Sequence, residues 1–183
     1  FPDPQGLMSS LTAQGFKVVA IVDPGIKVDP GWDVYTTGLS KGYFLGEGGA
    51  PYVGEVWPGA SVFPDFSAPE ARAFWASLVP RTLSPGVSGL WIDMNEPSDF
   101  TGQPGGTVPD HLPAAGDGVP GTMAELHNVY ALGEARATYE GMRAAAPDRR
   151  PFVLTRAGYA GIQRDAAVWT GDAPSSWATL KTT

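Results

Sequence analysis

Three acidic residues lie close together in the stretch GLWIDMNEPSDF, residues 89–100. The apolar run LWI leads directly into Asp93, and Glu96 and Asp99 follow in a turn that contains Pro97. Burying an ionised carboxylate costs free energy unless the group is paired or hydrogen-bonded. Acids at the end of a buried strand therefore either cap the turn that follows or take part in chemistry.

Four segments are short apolar runs rich in β-branched or aromatic residues, a composition that predicts strands. They are FKVVAIVDPG, VSGLWIDM, PFVLTR and AAVWTGD, and their polar ends are Asp23, Asp93, Arg156 and Asp172. The unbroken apolar run over residues 18–22 predicts that the first strand is buried on both faces of a sheet.

Apolar residues at helical spacing predict three helices, over residues 3–14, 67–80 and 122–147. The first precedes the first strand, and the other two lie between strands. We expect Pro80 and Pro85 to end the second helix. Segments 25–66 and 97–121 are rich in Gly and Pro, and we expect them to be irregular loops with a functional role.

Strand, long loop, helix and strand in succession predict an α/β fold with a parallel sheet. Reactive groups in such folds collect beyond the carboxyl ends of the strands. Polar residues after four successive strands therefore fit the active site of a partial (β/α)8 barrel. An open doubly wound sheet is the alternative, but the turn VDPGIK lacks the glycine-rich phosphate pattern of that fold.

Composition limits the partners of the chain. It has 183 residues, 43% of them apolar, no Cys and a net charge of −7, and this argues against disulfides, Cys-bound zinc and nucleic acid. No apolar run has membrane-spanning length, so no membrane partner is predicted. The sequence begins at Phe1 without an initiator Met and stops soon after a helix-like start, and we expect a fragment of a longer protein.

Each candidate metal or cofactor motif lacks a residue that the motif requires. DMNEPSDFTGQP resembles a calcium loop, but Ser98 stands where that loop requires Gly. His111 and His127 are too few and too far apart for a zinc triad, and GEGG lacks the Lys of a phosphate loop. No cofactor and no metal site are predicted.

WIDMNEPS, residues 91–98, resembles the nucleophile segment of glycoside hydrolase family 31, the α-glucosidase and α-xylosidase family. IVDPGI, VWPG, FPDF, HNVYAL, PFVLTRAGYAG and VWTGD resemble further segments of this family in the same order. The resemblance covers essentially the whole chain and implies about strands 3 to 6 of one catalytic barrel domain, without a second domain in residues 1–183. The remaining barrel strands and β-domains of a full-length protein are then its structural partners.

The resemblance also implies roles for individual residues. Asp93 is the expected nucleophile and Asp172 the expected general acid/base, with Glu96 in a supporting position. The residues expected to bind the sugar are Asp23, Ile21, Trp57, Trp91, Met94, Arg156 and Trp169. In a retaining glycosidase the two carboxyl groups lie about 5–5.5 Å apart. We expect Arg156 to be the cation beside Asp93, and apolar neighbours around Asp172 to help it hold a proton.

Three functions are compatible with these residues. The first is an exo-acting retaining α-glucosidase that hydrolyses terminal α-linked glucose of an oligosaccharide or α-glucoside. The alternatives are an α-xylosidase of the same family and a non-catalytic carbohydrate-binding fragment. At single positions, Asp23 before Pro-Gly also fits simple turn chemistry, Asp99 fits a turn cap, and Trp75 fits a helix core. The compartment is not indicated.

Overall fold

The computed structural model describes residues 1–83 and 86–182. The helices are α1 (Pro4–Ala13), α2 (Asp33–Lys41), α3 (Pro69–Leu83), α4 (Met123–Leu126), α5 (Tyr130–Ala145) and α6 (Trp177–Thr182). The strands are β1 (Val19–Val22), β2 (Ile26–Lys27), β3 (Gly46–Glu47), β4 (Ala50–Pro51), β5 (Gly54–Val56), β6 (Gly59–Val62), β7 (Gly89–Ile92), β8 (Pro113–Ala114), β9 (Gly121–Thr122), β10 (Val153–Thr155) and β11 (Ala167–Val168). Short 3₁₀ turns cover Pro104–Gly106, Gly116–Gly118, His127–Val129 and Ile162–Arg164.

The central sheet has the order β1, β7, β10, β11 in the described part of the chain, and every pairing is parallel. Ile21 of β1 pairs with Trp91 of β7, and Trp91 pairs with Leu154 of β10. The four predicted strands and their parallel arrangement are therefore confirmed. Parallel strands end at one edge of the sheet, so the residues that follow β1, β7 and β10 are neighbours in space.

Helices α3 and α5 cover one face of this sheet and pack against each other. Leu90 and Ile92 of β7 are buried beneath them, as is Trp75 of α3, whose indole N–H donates to Thr138 of α5 over 2.9 Å. The prediction that Trp75 belongs to the core is confirmed. Burial of these side chains stabilises the packing of the helices on the sheet by about 25 cal/mol per Å² of apolar surface removed from water.

The expectation that the first strand is buried on both faces is wrong. Val19 and Ile21 are 39% and 53% exposed, whereas Ala20 and Val22 are half-buried. The physical reason is that α3 and α5 cover only one face, and no layer of the described residues covers the other. Trp91 and Leu154 share this open face with Ile21 through the strand register.

Segment 25–66 is more regular than the sequence predicts. It contains α2, the antiparallel sheet of β2, β6 and β5, and the β3–β4 hairpin. A small core of Ile26, Val34, Phe44 and Val62 holds it together. Strands of two to four residues are too short to produce a periodic apolar pattern, and this explains the wrong expectation.

The prediction that Pro80 ends the second helix is also wrong, because α3 continues to Leu83. Pro80 has no N–H to donate, so one backbone hydrogen bond of the last turn is missing, but the residues after it remain helical to Leu83. Pro85, the other predicted end, lies outside the described residues.

Candidate active site

Asp93 and Arg156 lie side by side because each directly follows a strand. The Asp93 N–H donates to Val22 O over 3.2 Å, and the Arg156 N–H donates to Ile92 O over 3.3 Å, so the ladder continues one residue beyond the strands. Arg156 Nη1 then lies 3.3 Å from Asp93 Oδ1, and the two side chains are only 18% and 16% exposed. This is an ion pair without an aligned hydrogen bond, because Asp93 Oδ1 has no such partner in the described residues.

Glu96 binds the same guanidinium through two hydrogen bonds. Arg156 Nε donates to Glu96 Oε1 over 2.8 Å and Nη2 donates to Oε2 over 2.7 Å, while the Ser98 hydroxyl donates to Oε2 and accepts from Nη2. Burial opposes ionisation of Glu96, but the hydrogen bonds from Arg156 and Ser98 outweigh it and hold the pKa of Glu96 below its usual range. The hydrogen bonds to Glu96 likewise raise the pKa of Arg156. The arginine is thus a fixed cation.

Asp172 reaches the same arginine from the segment after β11. Its Oδ2 lies 3.9 Å from Arg156 Nη1, but its side chain is 94% exposed. The expectation of apolar neighbours around Asp172 is therefore not met. The physical reason is a contact between strand segments rather than the local sequence, because Trp169 packs on Trp91 of β7, with ring centroids 5.1 Å apart.

Asp23 follows β1 and faces the other acids. Burial, and then the charge of Asp93, raise the pKa of Asp23, while Arg156 opposes the shift. Its Oδ1 is buried and has no hydrogen-bond partner among residues 1–83 and 86–182. The geometry gives no support to simple turn chemistry at this oxygen, and leaves it as a free acceptor beside the site.

Aromatic rings flank the acids at two places. Trp91 and Trp169 meet edge to face, and the Trp91 ring N–H is buried with no partner in the part of the chain described. Trp57, between β5 and β6, is 73% exposed and packs edge to face on Phe100, with ring centroids 5.0 Å apart. Sequence reasoning missed Phe100, although its place at the end of the acidic stretch was a usable signal.

Asp99 fastens the acidic turn to β5. It is 1% exposed and accepts hydrogen bonds from the Tyr52 hydroxyl, the Glu55 N–H and both donors of Thr101. Burial opposes these hydrogen bonds, yet they lower the pKa of Asp99. A Cβ at Gly54 would lie 2.8 Å from this carboxyl group, so β5 can approach only because residue 54 is glycine. Asp99 is a structural anchor, as the turn-cap interpretation predicted.

Ile21 and Met94 differ in exposure, because Ile21 is exposed and Met94 is buried. Ile21 lies on the open face of the sheet at the level of Trp91. Met94 is 6% exposed and has φ +56°, and its carbonyl accepts from the Ser98 N–H over 2.9 Å. A left-handed non-glycine residue is unfavourable and is often found at functional sites.

Two buried polar residues near the site escaped sequence reasoning. Asn95 is 0% exposed and hydrogen-bonds on both sides of Arg156, donating to Thr155 and accepting from Ala157. Glu134 of α5 is also 0% exposed. Asn95 could have been suspected from its place between Met94 and Glu96, but Glu134 gives no signal in a helical pattern.

A cavity of about 350 Å³ lies between α3, β1, β7 and the segment around α2. Asp23 is the one predicted site residue that lines it. The catalytic candidates instead lie at the strand ends, toward the open face. Within the described ranges no three His, Asp or Glu side chains are grouped to hold a metal ion, and no helix is long and apolar enough to span a membrane.

Parallel βα units with polar side chains beyond the carboxyl ends of the strands define a fold class, the α/β proteins whose functional sites lie at that edge of the sheet. The comparison with known families is more specific. The model of the glycosyl hydrolases family 31 TIM-barrel domain matches residues 1–183, and the chain belongs to this family. The four-stranded sheet is therefore part of a TIM barrel.

Several relatives are named α-glucosidases. Alpha-glucosidase 2 of Bacillus thermoamyloliquefaciens is 45% identical over 99% of this chain and 23% of its own length. Alpha-glucosidase of Saccharolobus solfataricus is 38% identical over 99% of this chain and 28% of its own length. The chain thus spans about a quarter of these relatives.

Solved structures agree with the fold. The glucosidase II α subunit in its Tris-bound form superimposes with a TM-score of 0.88 at 36% identity, over 100% of this chain and 20% of that one. The family 31 α-glucosidase of Bacteroides thetaiotaomicron gives a TM-score of 0.78 at 37% identity, over 99% of this chain and 28% of that one.

Proposed function

We propose that the protein containing this chain is an exo-acting retaining α-glucosidase that releases terminal α-linked glucose from oligosaccharides or other α-glucosides. The observation that carries the proposal is that Asp93 and Asp172 both lie within 4 Å of one nitrogen of Arg156, beyond the carboxyl ends of a parallel sheet. The two carboxyl groups are therefore close neighbours, as a double displacement requires. The names of the relatives favour glucosidase over the α-xylosidase alternative.

In the first displacement Asp93 attacks the anomeric carbon. A carboxylate oxygen forms a bond to this carbon while the bond to the leaving oxygen breaks, and Asp172 gives that oxygen a proton. Arg156, held by Glu96, fixes the Asp93 carboxylate so that little orientational freedom is lost when the sugar binds.

In the second displacement Asp172 acts as a base. It takes a proton from water, the water oxygen bonds to the anomeric carbon, and Asp93 is released. The exposure of the Asp172 side chain, 94%, suits a group that must reach both a departing alcohol and an entering water. Two inversions give net retention of configuration.

The terminal sugar is assigned to the residues around this pair. Asp23 offers its unpartnered buried oxygen to a sugar hydroxyl. Trp57, Trp91 and Trp169 offer ring faces to the C–H side of the sugar, with Ile21 and Met94 beside them. The part of the open face of the sheet that the sugar does not contact is assigned to contact with the remaining barrel strands of the full-length protein.

Proton NMR of the first sugar released by the complete protein tests the proposal. We expect α-glucose before mutarotation, and no release by the Asp93→Asn variant. The ratio of activities on nitrophenyl α-glucoside and nitrophenyl α-xyloside tests the sugar, and we expect the glucoside to be preferred. First-formed β-glucose would overturn the retaining mechanism, and a preference for the xyloside would overturn the substrate.

A further inference from the structure

Glu134 is a buried carboxyl group that the proposed mechanism does not use. It lies on α5, one turn after Tyr130, and is 0% exposed. Neither of its oxygens has an aligned hydrogen-bond partner in residues 1–83 and 86–182. A buried carboxyl group without a cation is expensive when ionised, so its presence behind the strand ends calls for a physical reason.

The groups that face Glu134 are mostly acidic. Asp23 faces it from the end of β1, Asp93 and Glu96 from the turn after β7, and the Tyr130 hydroxyl is close on the same helix. Burial raises the pKa of Glu134 well above its usual value, the Asn95 amide opposes this, and the three acids add to it, Asp23 most. Glu134 therefore keeps its proton to higher pH than an ordinary glutamate.

Asn95 lies close to Glu134 and is hydrogen-bonded to the strand end that carries Arg156. Its Nδ2 donates to Thr155 Oγ1 over 2.8 Å, and its Oδ1 accepts from the Ala157 N–H over 2.9 Å. These are the residues immediately before and after Arg156. One buried amide thus bonds to both of the residues that flank the arginine. Its second N–H is free to face Glu134.

We propose that Glu134 is a positioning residue, a neutral carboxylic acid that orients the Asn95 amide and thereby fixes Arg156 for the reaction. The neutral acid accepts from the Asn95 N–H with its carbonyl oxygen and retains one O–H for donation. The buried Oδ1 of Asp23 lacks a partner in the described part of the chain. Among the three acids, the charge of Asp23 contributes most to keeping Glu134 protonated. The proposal rests on the proposed function, since Arg156 matters only if the site binds a sugar.

Three variants of the complete protein test this role. Glu134→Gln keeps a neutral group with an acceptor and a donor, and we expect kcat/KM within about twofold of wild type. Glu134→Met keeps the volume but no hydrogen bond, and we expect kcat/KM to fall roughly tenfold or more. Glu140→Gln is the matched control, because Glu140 lies on the same helix, is 54% exposed and pairs with Arg136. It should leave the activity unchanged.

The melting temperature as a function of pH gives a second measurement that needs no activity. A carboxyl group whose folded pKa is raised makes the folded protein lose stability as pH rises from the unfolded pKa to the folded one. Wild type should lose melting temperature relative to Glu134→Gln over this range, whether or not the protein hydrolyses glucosides. Equal pH dependence of the two proteins would overturn the neutral-acid assignment. Equal activities of the Gln and Met variants, both low or both normal, would overturn the positioning role.

Discussion

Arg156 is the residue on which the site converges. Glu96 takes two of its hydrogen bonds, and Asp93 and Asp172 lie at 3.3 and 3.9 Å from its Nη1. The pair with Glu96 is mostly buried and bidentate, which is the strongest geometry for such a contact. The arginine is therefore oriented before any substrate arrives, and it in turn orients Asp93, the proposed nucleophile.

Replacing Glu96 by Gln should loosen this arrangement. One of the two hydrogen bonds is lost and the pairing charge disappears, at a cost of about 1–2 kcal/mol after allowance for the partial exposure of Glu96. We expect kcat/KM to fall roughly tenfold. The exposed Glu55→Gln is the control and should behave as wild type.

The same variant gives a pH test of stability. The folded pKa of Glu96 is lowered, so its contribution is present above the unfolded pKa and is lost as pH falls through the folded pKa. The difference in melting temperature between wild type and Glu96→Gln should therefore shrink in acid. A difference that stayed constant down to acidic pH would contradict the assigned pKa direction.

The two catalytic candidates should differ in their dependence on the leaving group. Asp93→Asn has no nucleophile, so all substrates should fail together. Asp172→Asn should lose roughly 10² to 10⁴-fold on maltose-like substrates, whose sugar alcohol needs a proton to depart. A nitrophenyl glucoside needs little help, so the covalent intermediate should accumulate and give a burst, and azide should restore turnover. Equal losses on both substrates without azide rescue would remove Asp172 from the acid/base role.

At the scale of secondary structure, the sequence predicts best the elements that are long enough to show an apolar pattern of their own. The strands β1, β7 and β10 are apolar runs closed by turns, and α3 and α5 carry apolar stripes of several turns, so both kinds of element were recognisable. Segment 25–66 was not, because its strands are two to four residues long and its core is assembled from distant residues.

The residues of the candidate site also divide into those that a local pattern predicts and those that only long-range packing brings together. Asp23, Asp93 and Arg156 could be grouped because each follows a predicted strand, and a parallel sheet brings such residues to one edge. The proximity of Glu134 to Asn95 could not be predicted, because it brings together a helix face and a turn with no pattern in either segment. The exposure of Asp172 was missed because it depends on what surrounds β11 rather than on local sequence.

The contact between α3 and α5 can be tested at Gly141. A Cβ there would lie 2.6 Å from Ala76 O and 2.9 Å from Val79 Cβ, closer than packed atoms allow. In an open helix Gly→Ala would stabilise by about 1 kcal/mol. Here we expect the clash to outweigh this gain and Gly141→Ala to destabilise by about 1–3 kcal/mol.

Urea unfolding of the complete protein measures this effect. The exposed Arg143→Ala, on the same helix, is the control and should change the free energy of unfolding by less than about 0.5 kcal/mol. A more stable Gly141→Ala protein would mean that the two helices have room to separate.

At the scale of the whole molecule, the described residues cover only one face of the central sheet. Helices α3 and α5 cover one face, while Ile21 on the opposite face is 53% exposed. In the part of the chain that the structure describes, β1 pairs only with β7 and β11 only with β10. Both edges thus present unpaired backbone groups, and such edges favour pairing with further strands.

We predict that a polypeptide of residues 1–183 alone is inactive and marginally stable, and that it self-associates through these edges. The apolar open face and the two unpaired edges lower the net stability, because within the described residues a helical layer covers only one face of the sheet. Light scattering coupled to size-exclusion chromatography should show dimers or larger species. Ile21→Glu should reduce the association by placing a charge on the open face, whereas Leu39→Glu, at a 41% exposed position on α2, should not. A monomer with a sharp two-state melt and measurable α-glucosidase turnover would contradict the prediction, because it would show that four strands suffice for both the fold and the site.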